Sequence, residues 1–344
     1  MPLTMHRPIS NPPNPWSSTE VEWLEPPPPA KLVVFEETAR SIVAKNDSPD
    51  LPFRYSANPY RGCQHACAYC YARPTHQYLG FGAGTDFETR IVVKTNAVEL
   101  LREELARARW SRGRGGEALV LSGVTDCYQP LEASYRLTRG MLEVAREFRQ
   151  PVTVITKSAL VRRDVDVLAK LNASVFVSIP FADAELCRKI EPATASPQTR
   201  FQTLRALSAA GIRCGVSVSP LIPGLNDAEL PAVLKGAAEA GATKAFLTLV
   251  RLPREVEPVF FERLEAVLPD RVTRVRHAIE EARGGKRNES AFGKRMRGVG
   301  ARWEATAELF RIHARRYGLE VGVGVEPLDE KPSGAERPRQ GELY

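Results

Sequence analysis

The sequence has 344 residues, of which 43% are hydrophobic and 26% are charged, and its formal net charge is +7. This composition is typical of an ordinary globular protein with an ample core, of one large domain or two smaller ones. Six cysteines in a chain of this length exclude a disulfide scaffold and suit a reducing compartment.

The first residues lack the apolar segment of a signal peptide, and no apolar run approaches the length of a membrane span. We therefore expect a cytoplasmic protein with no membrane contact. The positive net charge is compatible with an acidic partner such as nucleic acid, although arginine-rich proteomes also contain basic enzymes that bind no polymer.

Four segments are expected along the chain. Residues 1–48 contain proline runs, which predict an extended and largely flexible N-terminal segment. Residues 49–255 carry the main fold, and residues 256–327 form a C-terminal extension with a basic stretch and a helix. The polar residues 328–344 are expected to form a flexible tail.

Short β-branched runs alternate with amphipathic helical stretches along the main fold. The predicted helices are Asn96–Arg109, Tyr135–Arg149, Leu160–Leu171, Gln198–Ala210 and Asp227–Ala240. The predicted strands are Ala118–Ser122, Val152–Thr156, Ala173–Ser178, Arg213–Val218 and Lys244–Leu249. Continuously apolar strands between helices predict a parallel sheet covered by helices.

The number of strand–helix units suits a partial (β/α)6 barrel of the TIM type, in which loops after the carboxyl ends of the strands carry the chemistry. A doubly wound sheet is the alternative architecture, but no glycine-rich dinucleotide motif follows a strand.

Three cysteines on one short loop, Cys63, Cys67 and Cys70, are the strongest chemical signal in the sequence. A four-iron cluster normally takes four thiolates, so a cluster held by three keeps one iron open for chemistry. A zinc site completed by His65 or His76 is an alternative, because structural zinc needs four ligands. A disulfide pair is a further alternative, but the chain shows no secretory context.

The C-x3-C-x2-C spacing, with Tyr69 before the last cysteine, is the fingerprint of the radical S-adenosylmethionine (SAM) enzymes. From about Asn58 to Asp227, the chain resembles the spore photoproduct lyase-like branch of that superfamily, and in particular an uncharacterised bacterial subgroup. The resemblance rests on Asn58–Cys63 leading into Tyr71–His76, on Ser122–Pro130 and on Phe292–Gly298.

This resemblance implies an α/β partial (β/α)6 barrel of the radical SAM type over residues 49–255, followed by the helical and basic extension. It also implies a four-iron four-sulfur (4Fe-4S) cluster on Cys63, Cys67 and Cys70, with the amino and carboxylate groups of SAM chelating the open iron. An electron donor of the flavodoxin or ferredoxin type is inferred as a partner.

Five residues match positions that contact SAM in the family: Tyr69, Thr125, Asp126, Lys157 and Ser178. The resemblance implies that Tyr69 lies beside the adenine. Thr125 and Asp126 would face the ammonium group, and Lys157 and Ser178 the carboxylate. Without the resemblance, the same residues are read as core packing, a turn or helix cap, and a solvated loop lysine.

The segment Glu191–Pro197, followed by Arg200, also resembles the lyase and is expected to line the mouth of the site. A structural reading is compatible with this one, in which Ser196 caps a helix that begins at a proline.

The implied reaction is reductive cleavage of SAM to a 5′-deoxyadenosyl radical, which abstracts hydrogen from a substrate. In the lyase, a cysteine donates hydrogen to the product radical, and Gly123 stands at the matching position here. Cys127 is the candidate donor instead, although a buried structural thiol is an equal alternative. Cys187 and Cys214 are expected in the core.

A basic segment with an interleaved aromatic, Phe292, is the candidate nucleic-acid contact. Its basic residues are Lys286, Arg287, Lys294, Arg295 and Arg297. The expected substrate is a nucleic-acid base or lesion, as in lyase-type DNA repair. The alternatives are a solvated charged face, a radical modification of a peptide or small metabolite, and a non-catalytic, metal-stabilised nucleic-acid-binding module.

Overall fold

The structure is a computed structural model that describes residues 31–107, 110 and 117–322. The predicted proline-rich lead-in over residues 1–30 and the predicted tail over 328–344 lie outside the described residues. The rest of the predicted flexible N-terminal segment contains two strands, β1 (Val33–Glu37) and β2 (Val43–Lys45). The prediction of flexibility was therefore wrong for these strands, whose pairing partners lie elsewhere in the chain.

A main sheet of eight strands organises the described residues. After β2, its strands are β3 (Tyr55–Ala57), β6 (Leu119–Leu121), β7 (Val152–Thr156), β8 (Ala173–Ser178), β9 (Arg213–Leu221), β10 (Lys244–Leu249) and β11 (Glu320–Val321). Their order is β11-β10-β9-β8-β7-β6-β3-β2. All neighbours from β3 to β11 run parallel, and only β2 is antiparallel to its neighbour.

A smaller sheet of three strands packs beside the start of the main fold. It consists of β1, β4 (Tyr60–Arg61) and β5 (Arg90–Lys94), in the order β1-β5-β4. Strand β1 pairs with β5 in parallel, whereas β4 pairs with β5 in the antiparallel sense. This sheet was not predicted, because its strands are short and pair across long stretches of sequence.

Eleven α-helices with described bounds connect and cover the strands. They are α1 (Asp86–Thr89), α2 (Ala97–Ala106), α3 (Glu132–Tyr135), α4 (Leu137–Glu147), α5 (Val165–Leu168), α6 (Ala184–Ile190), α7 (Pro197–Ala209), α8 (Leu230–Glu239), α9 (Val256–Val267), α10 (Val272–Ala282) and α11 (Gly300–Arg316). Short 3₁₀ turns cover Arg73–Leu79, Ala159–Asp164, Asp227–Glu229 and Pro269–Arg271. The C-terminal extension is helical, as predicted, and it also supplies the edge strand β11.

The predicted bounds of β7, β8 and β10 are confirmed to the residue. The single helix predicted over Leu160–Leu171 is wrong, because the chain forms a 3₁₀ turn that ends at Asp164 before the short helix α5. Asp164 is fully buried and accepts hydrogen bonds from Tyr128 and Arg139, both at 3.0 Å. The hydrophobic periodicity of the sequence does not predict these hydrogen bonds, because their partners lie far away in the chain.

The six parallel strands β3, β6, β7, β8, β9 and β10 form the partial (β/α)6 barrel. The sheet is open, since β2 and β11 are its two edges. Strand β3 precedes the three cysteines, so the barrel begins one strand earlier than the sequence pattern indicated. Because parallel strands point the same way, their carboxyl ends and the loops that follow them meet at one edge.

Two apolar clusters stabilise this arrangement. The larger lies between the strands and the covering helices and includes Leu121, Val154 and Leu247, which are almost fully buried. The second joins the cysteine loop to the C-terminal extension and includes Tyr69 and Phe260. Among the described residues, no helix is both long and apolar enough to cross a membrane.

Gly215, in the central strand β9, provides a test of this packing. A Cβ atom there would lie 2.6 Å from the Phe176 ring and 2.8 Å from the Lys244 carbonyl oxygen. We expect Gly215→Ala to destabilise the fold by about 1–3 kcal/mol, because the backbone of the neighbouring strand cannot move freely. A lower midpoint in urea denaturation would show this effect.

Gly322→Ala is the matched control, since its Cβ would meet Phe246 at an ordinary 3.4 Å. Equal midpoints for the two variants would contradict the packing described for β9.

Candidate metal and cofactor site

The three cysteines lie on one loop that follows β4, at the carboxyl edge of the main sheet. Cys63 and Cys67 are buried and Cys70 is partly buried. The backbone N–H of Ala66 donates to the Cys63 carbonyl and that of Cys70 to the Cys67 carbonyl, each at 3.3 Å. These two successive turns bring the three side chains to one region.

The thiols of this loop affect one another electrostatically. Burial raises the pKa of Cys67, and the charges of Glu191 and of the other two cysteines raise it further. Burial also raises the pKa of Cys70, with a further contribution from Cys63. Because cysteine binds metal as the thiolate, a metal bound at this loop would have to offset these shifts.

The described residues contain no group of three or more His, Cys, Asp or Glu side chains that could hold one metal ion. In a four-iron cluster each thiolate binds a different iron, so the three thiols need not converge on one centre. Three buried thiols on one loop are a donor set that fits such a cluster.

A buried arginine, a partly buried arginine and a buried glutamate hold the backbone of this loop. We call them the Glu88 clamp: Arg73, Glu88 and Arg263. Arg73 donates to the Cys67 carbonyl at 2.8 Å and to the Glu88 carboxylate at 3.0 Å. Arg263, on α9, donates to the Ala66 carbonyl and to Glu88. The C-terminal extension therefore contacts the cysteine loop directly.

Asp126, after β6, joins the cysteine loop to the end of β7. Its carboxylate accepts hydrogen bonds from the Thr156 hydroxyl at 2.8 Å, the Lys157 N–H at 2.7 Å and the Tyr128 N–H at 2.9 Å. His65 Nδ1 lies 3.3 Å from the same carboxylate. These donors fill most of the acceptor capacity of a carboxylate.

Opposite charges set the ionisation of this pair. Burial alone would raise the pKa of Asp126, but His65 and the two backbone N–H donors outweigh it and lower the pKa to about 2. Burial alone would lower the pKa of His65, but Asp126 and Cys63 raise it to about 10. His65 and Asp126 therefore form a buried ion pair beside the cysteines.

Tyr69, Lys157 and Ser178 meet in a second polar network, built on Glu191 and Arg200. The Tyr69 hydroxyl donates to Glu191, and Lys157 Nζ lies 3.9 Å from Glu191 and 5.8 Å from the centre of the Tyr69 ring. Arg200 pairs with Glu191 at 2.5 Å and donates to the Ser178 carbonyl at 2.8 Å. Three of the five predicted SAM contacts are thus brought together.

The segment Glu191–Pro197, before Arg200, contains the helix cap that the sequence predicted at Ser196. The Ser196 hydroxyl accepts a hydrogen bond from the Thr199 N–H at 3.2 Å, and Pro197 is the first residue of α7. Burial raises the pKa of Glu191, although Arg200 opposes this shift.

Thr125 is buried next to Asp126, but its side chain is engaged elsewhere. Its hydroxyl donates to the Tyr60 carbonyl at 3.1 Å, and its own carbonyl accepts from Asn58 at 2.7 Å. Thr125 therefore ties the loop after β6 to the chain just before the cysteines.

Cys127 is fully buried in the larger apolar cluster. Its N–H donates to the Ser122 hydroxyl at 3.2 Å, and its carbonyl accepts from Thr138 at 2.6 Å. Burial raises the pKa of its thiol well above the ordinary range. This placement favours the structural thiol over the hydrogen donor, and the donor role stays a prediction. Cys187 and Cys214 are buried, as expected.

The basic segment lies at the carboxyl end of β10. The Leu249 N–H donates to the Met296 carbonyl, and the Leu252 N–H to the Asn288 side chain, each at 3.3 Å. Most of its charged groups already have partners: Lys286 pairs with Glu289, Arg287 with Glu257 and Arg295 with Asp50, while Arg297 has further contacts and Lys294 is exposed.

A cavity of about 1010 Å³ opens on the inner face of the sheet. Its walls include Ile155, Phe176 and Phe246. Thr153 and Thr248 also line it, because each lies two residues from Ile155 or Phe246 on the same face of its strand. Residues 46–54 and Met296 also line it, so the cavity extends to the basic segment. A cavity of this volume is large enough for a small molecule or for one nucleoside turned out of a nucleic-acid strand.

Sequence reasoning missed several residues of this site. His65 was considered only as a zinc ligand, although its place inside the cysteine loop marks it as a neighbour of any metal. Glu88 and Arg263 are 175 residues apart in sequence, and no local pattern connects them.

Comparisons with known proteins agree with this geometry. The radical SAM superfamily matches residues 57–236, which include the cysteine loop and the ends of β6, β7 and β8. An uncharacterised protein of Mycobacterium tuberculosis is 41% identical over 232 residues, which are 66% of this chain and 67% of that protein. A radical SAM Nα-GlyT isomerase of Pseudomonas phage M6 is 24% identical over 284 residues, 81% of this chain and 55% of that protein.

Among solved structures, spore photoproduct lyase complexed with dinucleoside spore photoproduct superposes with a TM-score of 0.57. The match covers 84% of this chain and 81% of the lyase, at 18% identity. At this identity the likeness shows the fold, and it agrees with the open parallel sheet described above. The chain belongs to the radical SAM superfamily, whose members use a 4Fe-4S cluster and S-adenosylmethionine.

Proposed function

We propose that this protein cleaves SAM reductively and uses the resulting 5′-deoxyadenosyl radical to abstract hydrogen from a nucleic-acid base or lesion. The carrying observation is the set of three thiols on one buried loop, beside the carboxyl ends of β6, β7 and β8. When bound there, the cluster and SAM would supply the one-electron chemistry, with an external electron donor. We propose a flavodoxin or ferredoxin type for that donor.

The polar side chains around the loop have distinct proposed roles. Tyr69 would face the adenine of SAM, while Lys157 and Ser178 would lie beside its carboxylate. Thr125 and Asp126 remain proposed neighbours of its ammonium group. Because the Asp126 carboxylate already accepts bonds from Thr156, Lys157 and Tyr128, its bonding favours a positioning role over direct contact with SAM.

The substrate class rests on several agreeing features. The cavity has aromatic and aliphatic walls, and Met296 of the basic segment contributes to its lining. The lyase of similar fold binds a dinucleoside, and the phage relative is named as an isomerase of GlyT. The Glu88 clamp and the His65–Asp126 pair would keep the cysteine loop rigid while the radical forms, and buried walls would exclude competing reactants.

Replacing Cys67 tests the cluster. We expect Cys67→Ala to lose most of its iron and sulfide after anaerobic reconstitution, because two thiolates cannot hold the cluster. Formation of 5′-deoxyadenosine should fall to background. Metal analysis and chromatography of SAM products measure the two quantities.

Cys214→Ala is the control, since Cys214 in β9 is buried and contacts the Leu204 and Gly241 carbonyls, away from the cysteine loop. Unchanged iron and sulfide in Cys67→Ala would contradict the ligand assignment. Zinc in place of iron in the wild type would favour the non-catalytic binding module.

Replacing Asp126 tests the positioning role. Asp126→Asn should retain the cluster but lose about 10–100-fold in SAM cleavage, because outer residues that orient metal and cofactor groups commonly contribute that much. Iron content and the initial rate of 5′-deoxyadenosine formation are measured on the same sample.

Asp166→Asn removes an exposed carboxylate that pairs with Arg139, and it should behave like the wild type. A rate for Asp126→Asn within error of that control would refute the positioning role.

Isotope transfer tests the substrate class. Anaerobic turnover with perdeuterated DNA should place deuterium in 5′-deoxyadenosine, because the radical takes hydrogen from its substrate. Mass spectrometry of the nucleoside detects the label. Label from a deuterated peptide or cell metabolite extract, with none from DNA or RNA, would instead support the peptide or metabolite alternative.

A further inference from the structure

Arg251 lies just after β10, at the carboxyl edge of the sheet that carries the cysteine loop. Its guanidinium carbon is 5.7 Å from the centre of the Tyr71 ring, and Tyr71 directly follows Cys70 in sequence. Its Nη1 lies 3.8 Å from the sulfur of Met296, which lines the cavity. Arg251 therefore lies between the cysteine loop and the basic segment.

Arg251 differs from most arginines around it, because no carboxylate pairs with it in the described part of the chain. Its Nε is buried and has no hydrogen-bond partner among those residues. By contrast, the nearby Arg295 is held by Asp50 at 2.5 Å. A cation that is partly buried without a counter-ion is unfavourable unless a ligand supplies the charge.

The surroundings of Arg251 are themselves positive. Arg283 and Arg295 are its charged neighbours, and burial together with Arg295 lowers the pKa of Arg251. Arg283 donates to the backbone carbonyls of Val250 and Arg297, at 2.7 and 2.9 Å. Its Nε also lacks a partner among the described residues. Asp50 is the carboxylate whose charge acts on Arg251 and raises its pKa. Its Oδ2 already accepts a hydrogen bond from Arg295.

Exposed aromatic rings flank this positive region. Tyr71 is 49% exposed beside Arg251, and Phe292 is 62% exposed with Arg295 at 4.5 Å from its ring centre. Aromatic rings beside guanidinium groups are the usual surface for an unstacked nucleic-acid strand, because bases stack on the rings while phosphates pair with the cations. A peptide carboxylate would make no use of two exposed rings.

We propose that Arg251 forms a phosphate subsite at the mouth of the barrel, which binds a phosphodiester of a nucleic-acid substrate between Tyr71 and Phe292. This inference rests on the proposed function and assigns a residue outside the basic segment predicted from sequence. The subsite would fix the strand while one base enters the cavity.

The test measures binding of a fluorescent single-stranded DNA of about 12 nucleotides across a salt series, with cluster-loaded protein. Arg251→Met should weaken binding and reduce the slope of log K against log salt by about 0.7, the value for one phosphate contact on a single strand. Arg254→Met is the matched control, because Arg254 is exposed and lies three residues away. It should keep the wild-type slope.

A second probe carries one uncharged methylphosphonate linkage, moved along the strand. One position should weaken binding to the wild type and leave Arg251→Met unaffected. Arg251→Lys keeps the charge but loses the planar guanidinium, so its affinity for the DNA should lie between those of the wild type and Arg251→Met.

Stability gives an independent readout. A structural arginine would destabilise the fold when replaced, whereas loss of an unpaired buried cation should leave the thermal midpoint of Arg251→Met equal or higher. A lower midpoint together with an unchanged DNA affinity would assign Arg251 to the structure and overturn the subsite.

The outcomes separate this inference from the proposed function. Salt-dependent binding by the wild type, with equal affinity and slope for Arg251→Met, would overturn the subsite alone. Loss of SAM affinity in Arg251→Met with DNA binding intact would assign the residue to SAM instead. A wild type without salt-dependent DNA binding would overturn both the subsite and the nucleic-acid function.

Discussion

The geometry of the cysteine loop depends on buried charges that lie far apart in the sequence. The Glu88 clamp binds two of its backbone carbonyls, and the His65–Asp126 pair ties it to the end of β7. Each of these ions would be costly to bury alone, but paired and hydrogen-bonded they are stable. The three thiols can therefore share one small region although burial raises the pKa of Cys67 and Cys70.

The same constraint explains why the C-terminal extension is needed. Arg263 on α9 reaches the cysteine loop, and β11 extends the main sheet beside β10. The basic segment between these elements is held at the barrel mouth by Met296 and Asn288. Loss of the extension would leave Glu88 without one of its two cations and would remove one side of the cavity. The cysteine loop and the cavity therefore both depend on the same polypeptide segment.

Much of the framework could be predicted because its signals are local. Apolar runs gave the bounds of β7, β8 and β10, and the spacing of Cys63, Cys67 and Cys70 indicated the metal chemistry. Lys157 and Ser178 were predicted from their match to family positions that contact SAM. Lys157 follows the last residue of β7 and Ser178 ends β8, and parallel pairing places these strand ends at one edge. The helix predicted over Leu160–Leu171 failed because the buried bonds of Asp164 override its periodicity.

The sequence by itself determined the superfamily, the three thiols and the bounds of β7, β8 and β10, since each depends on short spacings or on residue type. Only the tertiary structure showed that Asp126 is surrounded by donors, that Cys127 lies in the core, and that Arg251 has no acidic partner within residues 31–107 and 117–322. The physical reason is that solvation and pairing depend on neighbours from distant parts of the chain. Local sequence identifies which groups can ionise, whereas packing decides which of these charges are paired with an opposite charge or a hydrogen-bond donor.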